Sequence, residues 1–310
     1  MTATLTAPET TAAGRASRGP HGLTWMVLRL HRTALVFWGL ALTGAVAVLV
    51  WMVTIGDEAR RGDAACVTPA RDGYLGCAAL GRLTVDDVYA GWTESVTAAL
   101  AYAGLLVAAW AGAALVGREL ESGTARLAWT QSVTPARWLA AKLAVPAALI
   151  VVGAGVVMPL LRWARRAGGP DLAGAWYYPD VFVATGPTAV AYPLAGLALG
   201  ALAGLLLRRA VPAGGVGFAV ALFLHYVLER LREDLWPKVT RTGTGSLEVH
   251  RSALVADRHT WTEDGVRHLR VTYHPESHFW PLQYVETGVL LALAAAATLT
   301  AFAVLRRRTP

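Results

Sequence analysis

Long apolar stretches alternate with polar segments along most of the chain. A helix that crosses the hydrocarbon core of a bilayer needs about 20 apolar residues. Six stretches are long enough, and they run over Thr33–Ile55, Thr93–Gly117, Leu139–Leu161, Pro187–Leu207, Val211–Leu231 and Leu282–Leu305. The pattern therefore predicts an all-α polytopic membrane protein with six transmembrane helices.

The composition supports a membrane protein over a soluble one. Hydrophobic residues make up 55% of the 310 positions and charged residues only 16%, whereas soluble chains carry about 25% charged residues. Such a chain cannot cover itself with polar surface in water, which argues against a soluble enzyme, a coiled coil and a disordered protein. We read the net charge of +7 as arginine that fixes topology, and we expect no nucleic-acid partner.

The net positive charge of the loops is concentrated on one side of the predicted membrane. With the N-terminus placed in the cytoplasm, the inside segments are 1–32, 118–138, 208–210 and 306–310. With Lys142 counted at its helix end, they carry 13 basic residues and three acids. The longer outside segments are 56–92, 162–186 and 232–281. Together with their helix ends they carry the other 15 basic residues and 18 acids, so the inside is +10 and the outside −3. Because basic loops stay in the cytoplasm, both termini are expected there, although Arg162, Arg165 and Arg166 lie outside against the rule.

Two segments precede the first span. Residues 1–20 are small and polar and are expected to form a disordered cytoplasmic tail. Residues 21–32 mix large apolar residues such as Trp25 with basic residues such as Arg29, as an amphipathic helix in the inner membrane interface does. The alternative is that this segment is the charged start of the first span.

The outer loop 56–92 contains the only two cysteines of the chain, Cys66 and Cys77. In an oxidising compartment a disulfide between them would close a loop of about 11 residues and stabilise it by roughly 3 kcal/mol on the chain-entropy account. The alternative is a pair of free thiols.

The outer loop 232–281 contains two strand-like pieces, SLEVHRSALVA (246–256) and VRHLRVTYH (266–274). The turn residues Glu263-Asp264-Gly265 precede the second piece, so the pattern predicts a small β-hairpin outside the membrane. Five histidines lie in the same loop at positions 250, 259, 268, 274 and 278. Their spacing matches no zinc site, and we expect no bound metal.

The most informative segment joins the second and third spans and reads RELESGTARLAWTQSVTPARWLAAK (118–142). Gly123 is expected to end the helix that leaves the membrane, and Thr124–Gln131 to form a short helix. Thr134 then suits an N-cap and Pro135 the first turn of the next helix. Such an element would present a short, fixed helix to a cytoplasmic partner protein. The alternative is an amphipathic loop that rests on lipid headgroups.

This segment resembles the cytoplasmic loop of type-2 ATP-binding-cassette (ABC) exporter permeases. The resemblance rests on Arg118-Glu119-Leu120-Glu121-Ser122-Gly123-Thr124, followed by Ser132-Val133-Thr134-Pro135-Ala136-Arg137-Trp138 and Lys142. In that family an acidic residue and Gly-Thr precede a short coupling helix, and a proline-containing turn and a lysine open the third span. This chain departs from the pattern at Ser132, which stands where the family has proline, and Thr134-Pro135 follows.

Two more segments extend the resemblance over most of the chain. Residues 21–32 resemble the amphipathic connecting helix before the first span. The entry to the last span in actinobacterial members resembles Tyr273-His274-Pro275 with Phe279-Trp280-Pro281-Leu282-Gln283 and Glu286. The resemblance thus implies one six-span permease domain over residues 21–310, with a cytoplasmic coupling loop at 118–138.

The resemblance also implies partners. A coupling helix would dock into a groove of a separate ATPase subunit, and ATP-driven closure of two such subunits would rock two permease chains, as a homodimer or a heterodimer. By motif position the docking candidates are Glu119, Glu121, Gly123, Thr124 and Arg126. Membrane lipids are the remaining expected partners.

The chain carries no motif for catalysis. No G-x-x-x-x-G-K-[ST] loop occurs, so ATP and Mg are expected on the partner ATPase and no cofactor on this chain. Neither His-Glu-x-x-His nor Gly-x-Ser-x-Gly occurs, so the sequence lacks these two motifs of an enzyme. We therefore predict a non-catalytic transport subunit.

The spans contain two features beyond their hydrophobicity. Gly196, Gly200 and Gly204 share one face of span four and permit close helix packing, either within the chain or at a homodimer seam. His225 and Glu286 are the ionisable residues deepest in the spans, roughly 9 Å from the outer surface. They could pair with each other or touch a substrate, and the alternative is that both snorkel to the outer headgroups.

These observations favour a membrane permease subunit of an ABC exporter. The spans are rich in Ala, Leu, Gly and Trp, which favours a hydrophobic or amphipathic cargo such as a drug, antibiotic, peptide or lipid. Two alternatives stay open. An ATPase-linked membrane sensor would use the same coupling loop, and an ion-coupled secondary transporter would need acidic residues near the midplane, where we find none.

Overall fold

The computed structural model describes residues 29, 32–67, 84–131, 133–244 and 249–308. Its helices are α1 Arg32–Val67, α2 Val85–Ala98, α3 Gly104–Glu121, α4 Thr124–Thr130, α5 Pro135–Gly168, α6 Pro170–Ala173, α7 Pro179–Ala184, α8 Thr188–Leu207, α9 Ala210–Leu231 and α10 Phe279–Arg308. A π-helical turn, Ala99–Ala103, joins α2 to α3. Short 3₁₀ turns, Arg232–Asp234 and Glu276–His278, follow α9 and precede α10.

Six helical segments of the described chain are long and apolar enough to cross a membrane. They contain α1, α2 with α3, α5, α8, α9 and α10. Each of the six predicted spans falls on one of these segments, so the prediction of an all-α polytopic fold with six transmembrane helices is confirmed. Lipid offers backbone groups no hydrogen bonds, and a helix satisfies them internally, which is why hydropathy alone locates these elements.

The two ends of the helix bundle differ. At one end Ala125 of α4 packs with Leu205 near the end of α8 and Leu305 near the end of α10, and we call this the α4 end. The opposite end carries the β-sheet between α9 and α10, and we call it the sheet end.

Several helices extend beyond a bilayer at the sheet end, where the sequence predicted a loop over 56–92. Helix α1 has 36 residues, which is about 54 Å of helix against a hydrocarbon core of about 30 Å. The extension is held by side chains, since Ala59, Tyr89 and Ala164 pack in one cluster. The Tyr89 hydroxyl donates to the carbonyl of Ala164 and accepts from the Gly168 amide at 2.9 Å. Hydropathy locates only the part of a helix that lies in lipid, so the loop prediction was wrong for residues 56–67 and 85–92.

Helix α8 is the most buried spanning segment, and its glycines bring α3 against it. A Cβ at Gly196 would lie 2.7 Å from the Leu105 carbonyl oxygen, and one at Gly204 would lie 2.9 Å from the Ala113 carbonyl oxygen. A Cβ at Gly200 would overlap the Ala109 carbonyl. The three glycines therefore pack within the chain, and the homodimer seam considered for this face is not what the structure has.

The sheet has the strand order β1-β3-β2, with β1 Val239–Thr244, β2 Leu254–Glu263 and β3 Val266–His274, all antiparallel. The predicted hairpin is present as β2 and β3. Asp264 and Gly265 form its two-residue turn with φ of 52° and 74°, as a primed hairpin turn requires. Strand β2 begins at Leu254, later than the start of the predicted piece 246–256. Strand β1 was missed because its sequence, VTRTGT, contains glycine and no aromatic residue.

Some predictions fall on residues whose structure is not described. The tail 1–20 and nearly all of the connecting helix 21–32 lie outside the described residues. The Cys66 side chain and all of Cys77 do so as well, although the Cys66 backbone belongs to α1. The tail, the connecting helix and the disulfide therefore stay predictions.

Candidate functional site

Helix α4 is a separate seven-residue helix between the second and third spans. Gly123 precedes it with φ of 75°, a left-handed conformation that glycine adopts without strain, and this ends α3. On the other side the Thr134 side chain accepts the Arg137 amide at 3.3 Å, and Pro135 occupies the first turn of α5. The predicted helix break, N-cap and proline position are therefore confirmed.

Glu119 points toward the chain itself, not toward a partner. Its carboxylate forms an ion pair with Lys142, and it also accepts the Trp138 indole N–H at 2.7 Å. Lys142 and Trp138 are buried at 4% and 3% exposure. Because a buried ammonium group needs a paired charge, Glu119 is tied to α5 and is not a free docking group.

Glu121 is also engaged within the chain. Its Oε2 accepts the backbone amide of Ala210, the first residue of α9, at 3.0 Å. The first amides of a helix have no partner inside the helix, and a carboxylate there is favoured by the helix dipole. Glu121 thus acts as an external cap for α9.

The outward face of α4 is formed by other residues. Thr124 and Arg126 are exposed, and Leu127 is 60% exposed, although it is a large apolar side chain. Ala125 is fully buried and fixes the helix against the bundle. Of the five predicted docking residues, Glu121, Gly123, Thr124 and Arg126 are exposed, and only Glu119 is partly buried. Thr124 and Arg126 lie on α4 itself, whereas the Glu121 carboxylate is bonded to α9.

Two tryptophans brace the inner side of α4. The Trp129 ring on α4 meets the Trp138 ring on α5 edge-to-face, with centroids 5.6 Å apart. This arrangement suits the quadrupoles of aromatic rings. One side of α4 therefore packs against α5 and the bundle. The other side, with Thr124, Arg126 and Leu127, is exposed.

A second polar site is buried near the sheet end. The Arg232 guanidinium donates to both oxygens of Glu286, from Nε at 2.9 Å and from the outer nitrogen at 3.1 Å. The Tyr192 hydroxyl donates to the same carboxylate at 2.6 Å. Glu286 and Tyr192 are fully buried and Arg232 is 4% exposed, so the Arg232–Glu286–Tyr192 cluster joins α8, the end of α9 and α10.

A second set of buried hydrogen bonds lies next to this cluster and reaches α7. Gln283, one turn before Glu286, donates to the Phe182 carbonyl at 2.5 Å and accepts from the Thr188 hydroxyl at 2.8 Å. The Arg232 guanidinium also lies over the Phe182 ring, 4.1 Å from its centroid. The Gln283 bonds therefore form a second buried polar group beside the Arg232–Glu286–Tyr192 cluster, and Phe182 contacts both.

His225 lies beside the cluster without joining it. Its ring is 5.0 Å from the ring centroids of both Tyr102 and Tyr192. Both ring nitrogens are buried, and neither has a hydrogen-bond partner among the described residues. Tyr102 belongs to the π-helical turn, a feature that frequently marks functional sites.

The considered pairing of His225 with Glu286 is not what the structure has, because Glu286 pairs with Arg232. The snorkelling alternative was also wrong, since Glu286 is fully buried and His225 is 4% exposed. The prediction missed Arg232 because it placed this residue at the start of the outer loop. Arg232 directly follows α9 and lies seven residues, or two helical turns, after His225. This spacing indicated that the two residues share one face of the helix.

Two arginines that seemed to violate the charge rule have local partners. Arg165 is 8% exposed and donates to the Thr97 hydroxyl at 3.4 Å and to the Gly174 carbonyl at 3.3 Å. Arg162 lies over the Trp280 ring at 4.9 Å. These contacts explain why both residues lie at the sheet end in spite of their charge.

No group of three or more histidine, cysteine, aspartate or glutamate side chains comes together among the described residues. His274 and His278 do meet, with their Nδ1 atoms 3.0 Å apart, and His274 Nε2 lies 2.9 Å from the Glu233 carbonyl oxygen. A carbonyl only accepts, so His274 Nε2 carries a hydrogen and the pair shares a hydrogen bond between the two Nδ1 atoms.

Six apolar helices, with a short helix between the second and third, define a polytopic α-helical membrane protein. Over residues 37–232 the chain matches the family described as ABC-2 membrane transporter related. The chain belongs to this family, and it is a membrane permease component of an ABC transporter. The chain matches none of the curated proteins and none of the solved structures with which it was compared.

Family membership carries two general consequences. Permeases of this kind are generally non-catalytic membrane subunits, and they associate with an ABC ATPase subunit and with another permease. The likeness to actinobacterial members stays a prediction.

Proposed function

We propose that this chain is the membrane subunit of an ABC exporter and that α4 is its coupling helix, which docks into a groove of a separate ATPase subunit. The observation that carries the proposal is the geometry of α4. A seven-residue helix is locked on its inner side by Ala125 and Trp129, while Leu127 stands 60% exposed on the outer side. An exposed leucine on a rigid helix suits a hydrophobic groove of a partner protein.

We also propose that the α4 end faces the cytoplasm, together with both chain termini. Exposed arginines surround α4 at this end, and they are Arg118, Arg126, Arg137, Arg208, Arg209, Arg306 and Arg307. Cytoplasmic segments of membrane proteins are enriched in such residues. The same charges attract anionic lipid and favour acidic groups on a docked subunit.

We propose further that two permease chains, identical or related, form the translocation path for a hydrophobic or amphipathic cargo. The support is the apolar outer surface of the bundle, where large residues such as Phe37, Trp110 and Phe223 are exposed. The Arg232–Glu286 pair speaks against ion-coupled transport, since a carboxylate already paired with a guanidinium is a poor carrier for a proton or cation.

A photo-crosslinking residue at position 127 tests the docking proposal directly. In native membranes we expect it to attach to a protein of about 30 kDa, the ordinary size of a domain with a Walker A loop. The matched control is position 231, a leucine that is 48% exposed at the sheet end. A crosslink from position 127 to lipid alone, or the same product from both positions, would overturn the proposal.

A further inference from the structure

We infer that Glu121 is a positioning residue that transmits movement of α4 to the α8–α9 hairpin, and the inference rests on the proposed function of α4 as a coupling helix. The last turn of α3, which continues through Ser122 and Gly123 into α4, makes two polar contacts with other helices. Glu119 ties it to α5 through Lys142, and Glu121 ties it to α9 through the Ala210 amide. The contact of Glu121 with Ala210 is the one that can move the α8–α9 pair of spans.

Among the described residues, the Glu121 carboxylate is the side chain that accepts the amide of Ala210 at the start of α9. Ala210 is the first residue of α9, and its amide points out of the helix toward Glu121, 3.0 Å away. Arg209 precedes the helix with no side-chain cap on it. The carboxylate of Glu121 therefore supplies the cap that the sequence of α9 lacks, and a charged acceptor makes this bond stronger than a neutral one.

The backbones of α3 and α9 meet closely one turn before Glu121. A Cβ at Gly117 would lie 3.0 Å from the Ala210 Cα, and one at Gly214 would overlap the Trp110 ring. Gly117 and Glu121 are four residues apart, so both face the start of α9. Because the two helices are closely packed here, the end of α3 cannot shift far without displacing the start of α9.

The turn between α8 and α9 is also fixed. Arg208 ends α8 with φ of 53°, a left-handed conformation that is uncommon for a residue with a side chain. Arg308 of α10 donates to the Leu205 carbonyl in the last turn of α8 at 2.6 Å. Because this turn is short and bonded on both sides, a displacement of the α9 start carries α8 with it.

A movement of α4 is therefore passed on to two parts of the bundle, α5 and the α8–α9 hairpin. A push on the outer face of α4 passes through Gly123 to the last turn of α3. From there it reaches α5 through the Glu119–Lys142 pair and α9 through the bond between Glu121 and Ala210. Glu121 is exposed, but its role in this inference is the bond that it makes to α9 inside the chain. This role differs from the docking role that its place in the motif suggested.

The test compares Glu121→Ala with Glu121→Gln, and Glu94→Ala is the matched control because Glu94 is an exposed glutamate on α2. Hydrogen–deuterium exchange of the peptide that contains Ala210 reads the bond without any transport assay. We expect about tenfold faster exchange at this amide in Glu121→Ala, as loss of one charge-assisted hydrogen bond predicts. Glu121→Gln keeps an acceptor oxygen and should stay near the original rate, and Glu94→Ala should not change it.

The second readout is the complex with the ATPase, purified in mild detergent and reconstituted. We expect Glu121→Ala to retain the ATPase in full amount but to lose most of the stimulation of ATP hydrolysis by the permease, with recovery in Glu121→Gln. Release of the ATPase by Glu121→Ala, or unchanged exchange at Ala210, would overturn the inference. If the unaltered chain retains no ATPase, the proposed function fails first, and the exchange data still report whether the bond exists.

Discussion

Arg232 and Glu286 form a buried ion pair between the end of α9 and the first turns of α10, with Nε and Oε2 2.9 Å apart. Neither charge has access to water, since Glu286 is fully buried and Arg232 is 4% exposed. Removing two charges from water is expensive, and only good geometry with further hydrogen bonds offsets it. Tyr192 supplies one of these bonds, so the pair fixes three helices in one arrangement.

The first prediction concerns this pair. Glu286→Leu leaves a buried guanidinium without its partner, and we expect a loss of about 3–5 kcal/mol in the free energy of unfolding. The double variant Arg232→Met with Glu286→Leu removes both charges and should recover most of that loss. Thermal unfolding in detergent measures the difference. Tyr284→Leu, on the same helix and 62% exposed, is the control, and equal midpoints for Glu286→Leu and this control would contradict the prediction.

The second prediction concerns the contact between α3 and α8. Gly200→Ala places a Cβ against the Ala109 carbonyl, so the helices must separate, at a cost of about 1–3 kcal/mol. Gly215→Ala is the matched control because nothing lies within 4 Å of its Cβ position. We expect a lower unfolding midpoint for the first variant and an unchanged or higher one for the second. A neutral Gly200→Ala would show that this helix contact has room to relax.

The third prediction concerns the support of α4. Lys142→Met removes the ion pair with Glu119, which leaves a partly buried carboxylate with one donor, at a cost of about 1–3 kcal/mol. We expect faster hydrogen exchange over residues 118–131 and little change at the sheet end. Exchange that rises equally in both regions would indicate general unfolding and not a local support. Lys142→Arg keeps the charge and should lose less.

The fourth prediction concerns the two cysteines and the side on which they lie. If the sheet end is outside the cell, Cys66 and Cys77 form a disulfide and react with a membrane-impermeant maleimide only after an impermeant reductant is added to intact cells. Mass shift on gels reads the labelling. Immediate labelling without reductant would show free thiols, and labelling only after lysis would contradict the proposed orientation.

The six spans can be predicted from the sequence because every segment that crosses lipid must be a helix with an apolar surface. Hydropathy along the chain reports that requirement directly. Local rules also located the structure around α4. Gly123, Thr134 and Pro135 each act on their own backbone, so their effects need no knowledge of the rest of the chain. This is why the break, the cap and the restart were all predicted correctly.

The partners of the charged residues could not be predicted in the same way. Glu119 lies 23 residues from Lys142, and Glu286 lies 54 residues from Arg232. Such pairs depend on which helices pack together, and a pattern along one span does not contain that information. The long helices at the sheet end were missed for a related reason, since contacts such as Tyr89 with Gly168 stabilise them outside lipid.

The central claim is that this membrane subunit works through a separate ATPase that binds α4. Co-purification from native membranes in mild detergent tests it most directly, with the accompanying proteins identified by mass spectrometry. The account predicts a protein of about 30 kDa with a Walker A loop, which Leu127→Asp or Gly123→Trp releases and Leu231→Asp does not. A chain that purifies without any ATPase, even after crosslinking through residues 118–138, would contradict the account.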